Sequence, residues 1–563
     1  MRRTTHHCEL GSEPCAATAG PSWRTAAILT ASLVLAGLLA AVAAAAAVPP
    51  ATPVVETTGG SVQGLEDNGV DAFLGLPYAA PPVGALRFAP PSPHAGWEGI
   101  LDATSRGAPC MQMYSPSGPR TTEFTRQIQT IFPTLGEAKV DNEDCLFLNL
   151  WTPSADEAKR PVMVWFHGGG YAYGSGGWPV YDGRNLAARG DVVVVTVNHR
   201  LNVFGYLYLG DRFGDGFDRS GNLGNLDLVA ALEWVQANVA AFGGDPDNVT
   251  ILGESGGGSK VSHLMATPAA DGLFHRAIVQ SGPGITSGRK EQAAELADAL
   301  LEKLGASTAA ELRAVPAQEL LDAARAVLAS RSSGGFGGPN FGPIVDGVVL
   351  ERDPFVPAAH QQSKDVPLLI GWNKDEMTIF TAAQPWFGAL TDQALDQMAA
   401  GFGDNGPQLV AAYREEHPDY SPTHIANRAM SARFVVGSLT LADAQARLGG
   451  APVFVYRLVW ETPVNGGIFR SPHTLEIPLM FYNVEESQVL LGEGEAPRKM
   501  GEMLSDAWIH FARHGRPASE LLPEWPAYTP EKRLVMDLDL EPVVALDPER
   551  TARELLGGSG SSE

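Results

Sequence analysis

The stretch NVTILGESGGGSK, residues 248–260, is apolar through Val249, Ile251 and Leu252, stops on Gly253, shows Glu254 and Ser255, and then has three glycines in a row. Its first half reads as a buried strand and the residues after Ser255 as a helix. A strand, a Gly-Glu-Ser-Gly-Gly turn and a helix form the context that a G-x-S-x-G nucleophile elbow demands. Such a turn is so sharp that its flanking positions cannot carry bulk, and it thrusts the serine oxygen out above the sheet. A turn selected for geometry alone would use the same glycines. The reading therefore depends on what the rest of the chain supplies.

Outward from this stretch, PVMVWFHGG (161–169), DVVVVTVNHR (191–200), RAIVQSG (276–282), VPLLIGWN (366–373) and PVFVYRLVW (452–460) are apolar on both alternating faces. Continuous apolarity suits central parallel strands covered on both sides. Between them, NLDLVAALEWVQANVAAFGG (225–244) puts Leu228, Leu232, Val235 and Val239 on one helical stripe and stops at Gly243-Gly244. Alternating strands and helices predict a doubly wound α/β sheet. Residues 285–335 and about 383–445 read as helical insertions over the sheet edge.

Serine is a poor nucleophile without a base, and the base needs an orienting acid. In this architecture they follow the serine in the order acid, histidine. His473, in IFRSPHTLEIPLMF (468–481), falls in a loop after the last strong strand, where an α/β sheet presents its chemistry, and is the candidate base. His510 and His514 are four apart on a helix without accompanying carboxylates, and His417 and His424 lie in surface turn sequence. For the acid, Asp375 and Glu376 both follow a strand end, where a solvated turn is the commoner use of such a pair; position does not choose between them. Asp346 comes too early, before that strand. HGGGY (167–171) follows another strand, and its glycines let backbone N–H groups approach the oxygen of a tetrahedral intermediate.

The 563 residues carry a formal charge of −24 with acidic residues scattered along the chain. That favours solubility and argues against nucleic-acid binding, which needs a basic face. Arginines precede an uncharged, alanine-rich run from Ala26 to Val48, which reads as a secretory signal (1–48) with small-residue cleavage sites. The run is also long enough for a membrane anchor, which takes about 20 residues. The expected location is secreted or periplasmic, with an anchored form facing outside as the alternative. Residues 49–556 read as one catalytic domain and 557–563 as a disordered tail. Cys8 and Cys15 would leave with the signal, so Cys110 and Cys145 remain as a candidate pair. A bridge between them would stabilise by about 3.5–4 kcal/mol on chain-entropy grounds.

With these motifs in order, the chain resembles the type-B carboxylesterases, the cholinesterase-like branch of the α/β-hydrolases. FLGLPYAAPPVGALRFAPP (73–91), EDCLFLNLWTP (143–153), VMVWFHGGGY (162–171), VVVVTVNHRLNVFGYL (192–207), the segment 221–258, AIVQSG (277–282), FGPIVDG (341–347) and LLIGWNKDE (368–376) carry the resemblance. It implies an α/β-hydrolase fold with a large, mostly parallel sheet, helices on both faces and helical insertions. It further implies Ser255 as nucleophile, Glu376 rather than Asp375 as acid, and His473 as base. Oxyanion donors would lie at Gly169, Gly170 and Gly256, a disulfide would join Cys110 to Cys145, and Glu254 and Ser281 would stand behind the triad.

The implied reaction is hydrolysis of a small-molecule ester through an acyl-enzyme, without cofactor or metal. Carbamates, amides and lipid esters are alternative substrates on the same site, and a non-catalytic adhesion or binding protein is the reading from another class. Three features depart from the family. Gly257 and Gly258 follow the elbow where alanine is frequent, Met377 replaces a common glycine after Glu376, and no tryptophan lies between Cys110 and Cys145. The last removes the choline-stacking ring and with it the expectation of cholinesterase activity.

Overall fold

A computed structural model describes residues 52–113, 123–133, 141–331 and 340–557. The expected signal or anchor (1–48) lies outside the described residues, as does the tail beyond Gly557. From Ala51 onward the chain forms one unit. Among the described residues no helix is long and apolar enough to cross a membrane.

Eleven strands make the central sheet: β1 (Leu65–Asp67), β2 (Val70–Pro77), β3 (Phe147–Thr152), β4 (Arg160–Phe166), β5 (Val193–Val197), β6 (Gly244–Glu254), β7 (Arg276–Gln280), β8 (Leu368–Asn373), β9 (Val453–Leu458), β10 (Leu534–Leu538) and β11 (Val543–Leu546). Their order is β11-β10-β9-β8-β7-β6-β4-β5-β3-β2-β1. From β10 to β5 all neighbours are parallel, and the pairs beyond, on both sides, are antiparallel. The strand runs foretold a doubly wound α/β sheet, and this one has the mostly parallel α/β-hydrolase form that the family resemblance implies.

The continuous apolarity of the central strands has its reason in two cores, one on each face. Along β4, Val162, Val164 and Phe166 enter one core while Met163 and Trp165 enter the other. The stripe Leu228, Leu232, Val235 and Val239 is fully buried in the first core, and Gly243 ends that segment in the left-handed conformation. Helix Glu495–His514 covers the opposite face with Met503, Leu504, Trp508 and Phe511. The insertions are helical as expected, but Pro422–Ala446 does not lie over the sheet edge. It buries Ile425, Ala432, Val435 and Leu439 in the core beneath β8 and β9. Helices Lys290–Leu304 and Ala317–Arg331 instead form a third core with Phe204 and Leu207.

After β5 the chain crosses over β4 to form β6, so the sheet order reverses there. A crevice opens at such a switch point, beyond the carboxyl ends of the strands. The register pairs Phe166 with Gly253, Glu254 with Gln280 and Gln280 with Gly371. The loops carrying residues 167–171, Ser255, Ser281 and Asp375-Glu376 therefore emerge along one edge.

Candidate active site

Ser255 follows β6 with φ 57° and ψ −123° and serves as the N-cap of helix Gly256–Leu264. A non-glycine residue in so sparse a region costs about 1–3 kcal/mol and persists only where its surroundings over-determine it. Here its N–H donates to Gln280 O at 2.8 Å, and its carbonyl accepts from Ser259 N at 3.1 Å. The helix returns so tightly over β4 that a Cβ on Gly257 would stand 2.0 Å from Phe166 O. A Cβ on Gly253 would meet Gly257 C at 2.5 Å. Both flanking glycines are thus demanded by backbone approach.

The loop after β4 lies against this turn. Gly169 and Gly170 have φ 84° and 62°, and a Cβ on Gly256 would come within 2.6 Å of Gly170 N. Among the described residues no backbone carbonyl engages the N–H groups of Gly169, Gly170 or Gly256. Three free donors therefore cluster beside Ser255, a geometry suited to a developing oxyanion.

On the other side, Glu376 Oε2 lies 2.5 Å from His473 Nδ1. The backbone N–H of Asn373 donates to Glu376 Oε1 at 2.8 Å, and His473 N donates to Glu376 O at 3.3 Å. Asp375 turns away. Its N–H donates to Ser471 O at 2.9 Å, and its Oδ2 accepts from Ser471 N at 3.4 Å. Neither carboxylate is a solvated turn residue, since both are fully buried. Asp346 is spent elsewhere: its Oδ1 accepts from the N–H groups of Val348, Val349 and Leu350, and its Oδ2 from Asn222 Nδ2 at 2.8 Å.

Met377 adopts φ −82° and ψ −11°, an ordinary helical conformation, so no glycine is required there. Its N–H donates to Ser431 Oγ at 3.1 Å, which ties the loop after β8 to helix Pro422–Ala446. Gly257 and Gly258 both pack against backbone, at 2.0 Å from Phe166 O and 3.0 Å from Gln280 O for an added Cβ.

Glu254 is closer to His473 than a supporting position implies. Its Oε1 lies 3.0 Å from His473 Nε2, and among the described residues that nitrogen makes no hydrogen bond. Serine–histidine bonds are commonly loose without substrate and tighten in the complex. Ser281 stands further back, its Oγ donating to Glu476 Oε1 at 3.2 Å. Glu476 Oε2 accepts from Asn373 Nδ2 at 2.5 Å. The sequence reading missed Glu476, whose signal was a lone carboxylate in the apolar run LEIPLMF.

Burial lowers the His473 pKa, but Glu254 and then Glu376 outweigh it and push it up to about 9. Burial raises the carboxyls of Glu254, Glu476 and Asp375. Glu254 is raised despite the opposing pull of His473.

Ser255 and His473 share a cavity of about 130 Å³ whose walls include Phe132, Tyr173, Trp178, Tyr181 and Phe380. Cys110 and Cys145 are joined by a disulfide. His510 and His514 lie side by side on their helix, their rings tilted by 52° with centroids 4.5 Å apart. His424 Nε2 bonds Ile468 O at 3.0 Å and His417 stacks on Tyr420. No cluster of metal-ligating side chains occurs among the described residues.

A switch-point crevice, a serine on a strained strand-to-helix turn and a facing histidine–carboxylate pair define an α/β-hydrolase. The chain belongs to the carboxylesterase family, whose profile matches residues 51–555. It is 37% identical to the para-nitrobenzyl esterase of Bacillus subtilis, over 89% of this chain and 98% of that protein. It is 34% identical to the phenmedipham hydrolase of Pseudarthrobacter oxydans, over 89% of this chain and 97% of that one. Among solved structures, a carboxylesterase of Geobacillus stearothermophilus superposes with a TM-score of 0.76 at 39% identity, covering 89% of this chain and 99% of the other. The protein is accordingly a carboxylic-ester hydrolase.

Proposed function

We propose that it cleaves esters through a Ser255–His473–Glu376 triad and an acyl-enzyme. The observation that carries this reading is the 2.5 Å contact of Glu376 Oε2 with His473 Nδ1, on a histidine that lines the same cavity as Ser255. Ser255 Oγ attacks the ester carbonyl as His473 Nε2 takes its proton, and Glu376 steadies the imidazolium that forms. The N–H groups of Gly169, Gly170 and Gly256 receive the oxyanion. His473 then protonates the leaving alcohol, and a water activated by the same nitrogen releases the acid. Glu254 acts on the basicity of His473 through its 3.0 Å approach to Nε2, and Ser281 acts through Glu476.

The aromatic wall supports an ester bearing an aromatic ring, since a cavity of about 150 Å³ holds a benzene. The para-nitrobenzyl ester specificity in the name of the Bacillus subtilis relative points the same way. The disulfide supports export to an oxidising compartment.

Treatment with a fluorophosphonate followed by peptide mapping tests the reading. The label is expected on Ser255, and Ser255→Ala should lose activity by on the order of 10⁵–10⁶-fold. Label elsewhere, or an active Ser255→Ala enzyme, overturns it.

A further inference from the structure

Helix Gly256–Leu264 holds the glycine loop at both of its ends. Lys260, on this helix, is fully buried, and its Nζ donates to the carbonyl of His167, the residue from which the loop departs, at 2.8 Å. One residue earlier, Ser259 Oγ lies 2.6 Å from the hydroxyl of Tyr171, where the loop ends. The Tyr171 hydroxyl also stands 3.3 Å from His263 Nδ1, and its ring lies 5.5 Å from the Lys260 ammonium. Both struts rise from the one helix whose first residue is Gly256.

A buried lysine almost always has a carboxylate partner. Lys260 faces a carbonyl, an aromatic ring and the His167 and His199 imidazoles, which stack with centroids 4.9 Å apart. Burial, and after it Lys260, holds both imidazoles well below the ordinary histidine range. Burial alone brings Lys260 down to about 7. An apolar side chain here would avoid that desolvation cost but would leave the His167 carbonyl without its donor.

What needs holding is the distance between loop and helix. Gly169 and Gly170 belong to the loop and Gly256 to the helix, and the two meet at the limit of backbone contact, 2.6 Å from Gly170 N for a Cβ on Gly256. Donors stabilise an oxyanion only where they converge on it, and a misplacement of about 1 Å can cost about a hundredfold in rate.

We propose that Lys260, with Tyr171, is a positioning residue of the oxyanion hole, fixing the loop that carries the Gly169 and Gly170 donors against the helix that carries Gly256. The proposal rests on the oxyanion role given to those three N–H groups. Lys260 touches no reacting atom; it acts through the His167 carbonyl.

The test compares Lys260→Met, Lys260→Gln and Tyr171→Phe with the wild-type chain, using an aryl ester substrate and an aryl trifluoromethyl ketone, whose hemiketal oxyanion occupies the same hole. In Lys260→Met, kcat should fall roughly ten- to a hundredfold with KM within about twofold, and the ketone should bind more weakly by the same factor as kcat. Lys260→Gln, which keeps an N–H donor, should recover part of the loss, and Tyr171→Phe should shift kcat and ketone affinity together by a smaller factor. Unchanged kcat and ketone affinity in Lys260→Met overturn the proposal, as does a lowered melting temperature with wild-type kcat per folded molecule. If Lys260→Met does not fold, wild-type values in both other variants overturn it equally. A wild-type enzyme insensitive to the ketone, or an active Ser255→Ala, overturns instead the catalytic reading on which the proposal stands.

Discussion

Ser255 is held by backbone. Its turn is fixed by carbonyls and N–H groups of Phe166, Gln280 and Ser259, with glycines wherever chains meet too closely for a Cβ. His473 is held by side chains. Glu376, itself anchored by the Asn373 N–H, bonds one ring nitrogen, Glu254 approaches the other, and Phe380 and Phe434 flank the ring at centroid distances of 5.0 and 5.4 Å. A serine on a steric turn keeps its position whatever its charge state. A histidine among carboxylates has its basicity set by the groups that position it. The Ser255 half of the site is therefore governed by space and the His473 half by charge, and substitutions in the two halves should fail in different ways.

The sharpest contrast lies within the acid loop. Glu376→Gln should lower kcat by on the order of 10⁴-fold, as loss of a triad carboxylate does, whereas Asp375→Asn should stay within about tenfold because Asp375 faces Ser471. Steady-state kinetics on both variants check this, and the reverse ranking would put the acid at Asp375.

In the nucleophile half, Gly257→Ala drives a Cβ to 2.0 Å from Phe166 O, an overpacking that should cost about 1–3 kcal/mol of stability. Denaturant unfolding reads that loss. A variant as stable as wild type would show that the turn is not held by space.

The smallest effect is a displaced pH profile. His473 accepts a proton only when neutral, and the carboxylates push its pKa up to about 9, so activity should climb through the mildly alkaline range. Glu254→Gln removes a charge that stabilises the imidazolium, so the acid limb should move to lower pH. A profile that stays in place would show that charge at Glu254 does not set the base.

The same division governed what could be read in advance. The elbow, the HGGG loop and the buried strands were legible because each follows from short-range sterics or from an unbroken apolar run of a few residues. The helix Pro422–Ala446 was legible as a helix but not in its place beneath β8 and β9, because docking depends on partners distant in sequence. From the residues alone, Asp375 and Glu376 were equivalent; adjacent side chains at a strand end point apart, and only the fold shows which faces His473, 97 positions away. Glu476, Ser431 and Lys260 were likewise silent, because a buried polar residue has a role only once its partner is beside it.

The sequence by itself determined a mostly parallel sheet, a serine on a forced turn and a glycine-rich loop to meet it, since local backbone geometry admits few residues at those positions. The tertiary structure decided which carboxylate holds the histidine, how two further buried glutamates, Glu254 and Glu476, act on it, and that the elbow helix grips the glycine loop through Lys260 and Ser259. Those are contacts across the fold, and their electrostatics exist only after water has been excluded from between the groups.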